Sequence, residues 1–105
     1  MIRHVVFFTA RRREDLPEII KGLSQLGSIP HSSHFEVTTN RKVDLYANDV
    51  DVIVYAEFAD AEALAAYKAH PTYALATQQV RPLRDLRFAA DFEATDAIMK
   101  AMRSA

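Results

Sequence analysis

Apolar positions alternate along four short stretches of this chain, and stretches with helical character separate them. Residues 2–9 are apolar on both alternating rows: Ile2, His4, Val6 and Phe8 on one, Val5 and Phe7 on the other. A strand with two apolar faces belongs in the middle of a covered sheet. Leu16, Ile19, Ile20, Leu23 and Leu26 then follow helical spacing. Asp15 is placed to cap that helix, Pro17 suits its first turn, and Gly27 stands where a left-handed C-cap is wanted. Residues 28–33 read as a turn. Residues 34–39 alternate with small polar groups, as an edge strand does, and residues 40–49 form a polar loop with a Val43-to-Tyr46 patch. Residues 51–58 repeat the doubly apolar pattern, Val52, Val54, Ala56 and Phe58 against Ile53 and Tyr55.

Asp60 caps a helix predicted over residues 61–69, with Glu62 in the first turn, where a negative charge suits the helix dipole. Pro71 must end or restart that helix, because it lacks the N–H that a continuous helix uses. His70 therefore falls at a junction, able to cap the offset segment over residues 72–80. Residues 86–93 set Leu86, Phe88, Ala90 and Phe92 against Arg87, Ala89, Asp91 and Glu93, a one-faced strand suited to a sheet edge. From residue 94 to 105, Thr95 or Asp96 can cap a short helix with Ile98, Met99 and Met102 on one side. That tail is expected to dock on a partner subunit or over the sheet edge.

The order βαββαβ predicts an α+β fold: a four-stranded antiparallel sheet, first and third strands central, both helices on one face. Residues 1–93 form the domain and 94–105 a helical extension. Helices on one face leave Val5, Phe7, Ile53 and Tyr55 uncovered on the other. Such a patch marks an interface, and a homodimer packing sheet on sheet covers it most simply.

Composition narrows the function. With 105 residues there is one core, and a net charge of −1 argues against nucleic acid as a partner. Arg11, Arg12 and Arg13 are followed at once by Glu14 and Asp15 and read as a solvated turn. The absence of cysteine excludes a thiolate nucleophile and a Cys-based metal site. His31 and His34 have a spacing that joins metal ligands only on a helix, and here it runs from turn into strand, so no metal or other cofactor is expected. The N-terminal apolar run is too short for a signal peptide, no stretch approaches a membrane span, and the expected location is the cytoplasm.

The opening Met1–Phe8, the passage Tyr55–Leu64 and above all Tyr67-Lys68-Ala69-His70-Pro71 resemble the stress-responsive A/B barrel (Dabb) family over residues 2 to about 93. The resemblance implies ferredoxin-like halves paired into a dimeric α/β barrel. Members include many proteins without a known activity and a plant polyketide cyclase that performs a cofactor-free aldol condensation between sheet and helices. His4, Tyr67 and His70 match the cyclase. Tyr73 stands where the cyclase has its principal acid/base histidine, and Val52 stands where it has a further one. A tyrosine ordinarily titrates near about 10, so Tyr73 suits donating a proton better than abstracting one.

Three readings follow. The first is a homodimeric binding module with a small apolar or aromatic ligand and no chemistry. The second is a cofactor-independent cyclase, isomerase or oxygenase on a small polyketide-like or aromatic molecule, with His4 as base or as the group that polarises the electrophile, Tyr67 and Tyr73 as hydrogen-bond donors and His70 as support. It requires His4, Tyr67 and Tyr73 to converge on one cavity. The third is a purely structural assembly subunit.

Overall fold

A computed structural model describes residues 1–46 and 49–100. Its strands are β1 (Ile2–Ala10), β2 (His34–Thr39), β3 (Val52–Phe58) and β4 (Arg84–Glu93). Its helices are α1 (Leu16–Ser24), α2 (Ala61–Ala69) and α3 (Pro71–Val80), with short 3-10 turns at Arg13–Asp15, Gln25–Ser28 and Ala94–Asp96. The sheet runs β2-β3-β1-β4 with every neighbouring pair antiparallel, so the doubly apolar strands are central. Among the described residues no helix is long and apolar enough to cross a membrane.

One face of the sheet carries the helices and the core. Val6, Phe8, Val52, Val54, Ala56 and Phe58 point into it, and Ile19, Leu23, Tyr67, Ala76 and Val80 meet them from the helices. Each fully buried valine, leucine, isoleucine or phenylalanine among them contributes on the order of 1.5–3 kcal/mol. Gly22 lets α1 lie close on α3: a Cβ there would stand 2.8 Å from Val80 Cγ2.

Three expectations about element ends are corrected. Asp15 is itself helical and makes no side-chain cap, because the 3-10 turn before it already leads into α1. Gly27 is not left-handed; it lies in a 3-10 turn and is required by the Phe35 ring, 2.9 Å from where a Cβ would be. The tail makes one 3-10 turn at Ala94–Asp96 and no helix through residue 100, with Ile98 and Met99 exposed. Met102 lies outside the described residues. The first turn is held to the domain, where the Ala94 N–H donates to the Met1 carbonyl at 2.9 Å.

The other face of the sheet is bare. Val5, Phe7, Ile53 and Tyr55 lie there, and the register adds the apolar row of β4: Phe7 is opposite Phe88, and Val5 is opposite Ala90. Phe88 is 58% exposed, Leu86 49% and Phe92 40%. The uncovered patch is thus wider than the two central strands alone predict.

β4 also carries an irregularity. Phe8 pairs with Arg87 but Ala10 pairs with Arg84, so three steps along β4 match two along β1. The extra residue makes a bulge, and the Thr9 hydroxyl accepts the Leu86 N–H at 2.8 Å within it. In a regular strand, residues three apart face opposite sides. Here Arg84 and Arg87 both face the helix side, in the rows of Ala10 and Phe8.

Candidate functional site

His4 is the one buried polar residue of the described core, 2% exposed at the start of β1. Its row points toward the helices, and the β1–β4 register sets it opposite Asp91. His4 Nδ1 donates to Asp91 Oδ1. An ionised carboxylate only accepts, so this bond assigns a proton to Nδ1; in the neutral imidazole Nε2 is then the accepting nitrogen. Among the described residues Nε2 has no protein partner.

Tyr67 comes from the last turn of α2 and is 1% exposed. Its ring centroid lies 4.9 Å from Phe58, 6.3 Å from His4 and 5.3 Å from Tyr73. Burial pushes its hydroxyl well above the ordinary tyrosine range, and nearby Tyr73 adds to this, while the Arg87 charge opposes it. Tyr67 therefore stays protonated at working pH, a hydrogen-bond donor. Tyr73 stands in the first turn of α3, whose position is set by the bend at residue 70.

His4, Tyr67 and Tyr73 line one cavity of about 350 Å³ between sheet and helices. Val6, Phe8, Leu23, Leu26, Val54 and Val80 supply its apolar walls, and Thr77, whose hydroxyl donates to the Tyr73 carbonyl at 2.8 Å, lines it beside the two tyrosines. Lys68, Arg81, Arg84 and Arg87 also line it. The size is that of a small-molecule site, and the mix of apolar wall with a few convergent polar groups is the usual one. Chemically, the site offers a proton acceptor at His4 Nε2 and phenolic donors at Tyr67 and Tyr73.

His4, Tyr67 and Tyr73 are thus brought together, and His70 is not. His70 ends α2 and begins α3 in extended conformation, as a residue before proline prefers, and its Nδ1 accepts the Thr72 N–H at 3.1 Å. Its ring lies edge-on to His31 at 6.1 Å, while His34 pairs with Glu36 at 3.1 Å. Val52 is buried in the core and does not line the cavity.

Sequence reasoning missed Asp91 and the cations. Asp91 belongs to the polar row of β4, read as solvent-facing. Its signal lay in the topology: with the first and last strands antiparallel neighbours, the start of one meets the end of the other. For Arg84 no strand periodicity gives a signal, because the bulge breaks the period.

Comparison with known proteins agrees with this architecture. A dimeric ferredoxin-like protein of unknown function from Thermobifida fusca is similar at 25% identity and TM-score 0.72, over 87% of this chain and 88% of that one. A Dabb family protein with a ferredoxin-like fold from Mesorhizobium loti is 24% identical, with TM-score 0.73 over 88% and 94% of the two chains. An Arabidopsis thaliana protein is 20% identical, with TM-score 0.75 over 94% and 100%. No curated protein matches the sequence. The family description "Stress responsive A/B Barrel Domain" matches residues 2–94, and the chain belongs to that family, Dabb.

Proposed function

We propose that this protein is a cytoplasmic homodimer that holds one small, mostly apolar or aromatic molecule per protomer and moves a proton on it without a cofactor. This is chemistry of the cyclase or isomerase kind. The observation that carries the reading is the convergence of His4, Tyr67 and Tyr73 on one cavity, with Asp91 bonded to His4 from outside its lining. His4 Nε2 takes a proton from carbon beside a carbonyl. Tyr67, held protonated, donates a hydrogen bond to the oxygen on which negative charge develops. Asp91 orients the imidazole and stabilises its protonated form, as a carboxylate behind a catalytic histidine does. The bare apolar face and the dimeric state named for the Thermobifida fusca protein support the dimer.

A test is deuterium exchange at the α-carbon of a small aryl ketone, 2-tetralone, followed by NMR in D₂O. The wild type accelerates exchange over buffer. His4→Gln removes about a hundredfold or more of that acceleration, as loss of a general base does, and Tyr67→Phe lowers it in part. Binding of the ketone with exchange no faster than in buffer overturns the proton-transfer reading.

That outcome supports the alternative of a binding module without chemistry. The residue at position 73 favours it: a tyrosine stands where the resemblance to the cyclase implies a histidine.

A further inference from the structure

We propose that the molecule held in this cavity carries a carboxylate on its apolar body, and that Arg84 and Arg87 bind that carboxylate. The inference rests on the reading of the cavity as a ligand site and names the class of ligand. Four cations, Lys68, Arg81, Arg84 and Arg87, line a cavity whose lining includes no aspartate or glutamate. Among the described residues none of the four has a carboxylate within ion-pair distance, whereas Lys42 on the same protein pairs with Asp51 at 2.6 Å. Lys68, Arg81 and Arg87 are exposed and Arg84 half-buried, so water screens their mutual repulsion; the cavity mouth they line is nonetheless electropositive, and an anion bound there gains from all four.

The two pairs of cations have different origins. Lys68 stands in the last turn of α2 and Arg81 at the C-cap of α3, where the negative end of a helix dipole favours a cation with no ligand present. That account does not reach the arginines of β4. Arg84 and Arg87 share a face only because of the bulge between them, a feature that in sheets often re-aims a side chain at a site. The Arg84 carbonyl accepts from Arg11 Nε at 2.9 Å, which anchors the bulged backbone. Arg87 acts electrostatically on the Tyr67 hydroxyl, so it stands near the proposed proton donor. A guanidinium fork matches a planar carboxylate in a way an ammonium does not, and two of them set its direction as well as its charge.

The register also fixes the ligand's orientation. Arg87 lies opposite Phe8 and Asp91 opposite His4, four residues apart along the strands, roughly 13 Å at strand rise. The carboxylate end therefore lies toward β4's bulge, and the body extends past Tyr67 toward His4.

The test compares 2-naphthoate with its neutral analogue 2-naphthamide, titrated calorimetrically into the full chain at pH 7.5. In 20 mM salt the wild type binds naphthoate about tenfold more tightly than the amide. That ratio shrinks in 200 mM salt and falls to about one in the double variant Arg84→Gln/Arg87→Gln, whose melting temperature certifies its fold. Equal affinity for both probes overturns the carboxylate assignment and leaves the cavity reading standing. A preference for naphthoate that survives the double substitution overturns the role of the two arginines. Binding of neither probe overturns the cavity reading and this inference together.

Discussion

Asp51 closes the sheet where β3 begins. Its backbone N–H donates to the Phe8 carbonyl at 2.9 Å, and its carboxylate accepts from the Ala10 N–H at 2.8 Å and pairs with Lys42 Nζ at 2.6 Å. Burial by itself raises the carboxyl's pKa; the bonds from Lys42 and Ala10 and the nearby cations outweigh it and hold the value below the ordinary range. A carboxyl depressed on folding contributes stability that is present above its unfolded pKa, about 3.9, and lost as pH falls through the folded value. Asp51→Asn is therefore expected to lower the melting temperature at pH 7, with the gap to wild type narrowing below about pH 4. Melts followed by circular dichroism from pH 7 to pH 3 check this, and a gap that stays constant places the contribution elsewhere. At this scale the sequence marked some residues and not others. His4 is conspicuous as the polar member of an apolar row. Asp91 is not, because an acid in a polar row looks like any solvent-facing acid until its strand partner is known.

Among the elements, the α2–α3 junction was the most legible. Pro71 dictates a break, the residue before a proline turns extended, and His70 has a ring nitrogen to offer the next helix; all three are local effects. His70→Ala removes the acceptor for the Thr72 N–H and is expected to cost about 1 kcal/mol. For a chain this size that is a fall of about 4–8 °C in melting temperature. Naphthoate affinity should stay within a factor of about two, since His70 does not line the cavity. A large loss of affinity would place His70 in the site. The helix start at Asp15 and the left-handed end at Gly27 were misread for a common reason. Cap chemistry is defined by the turn the backbone adopts, and here 3-10 turns adjoin α1 at both ends. The bulge in β4 had no local signature at all, and the placement of Arg84 depends on it.

For the whole molecule the decisive feature is the bare face of the sheet. Phe7 on β1 and Phe88 on the edge strand β4 sit opposite each other there, with Leu86 and Phe92 along the same row of β4. Exposed aromatic surface of this extent is a cost in water that a second copy of the sheet removes. Sedimentation velocity is expected to show a dimer for the wild type and a monomer for Phe88→Glu, which puts a charge on that surface. A wild-type chain sedimenting as a monomer at tens of micromolar refutes the dimer, and particles larger than a dimer favour the assembly-subunit reading.

The sequence by itself determined which segments are strands and helices, which strands lie inside the sheet and that one face of it is apolar. Each of these rests on periodicities read over a few residues, and burial acts on those periodicities directly. Only the tertiary structure decided that His4 meets Asp91, 87 residues away, that two arginines share a face across a bulge, and that β4 turns its aromatic row away from the helices. Those facts depend on which strands are neighbours and in what register, a choice made by the chain as a whole when it closes its core.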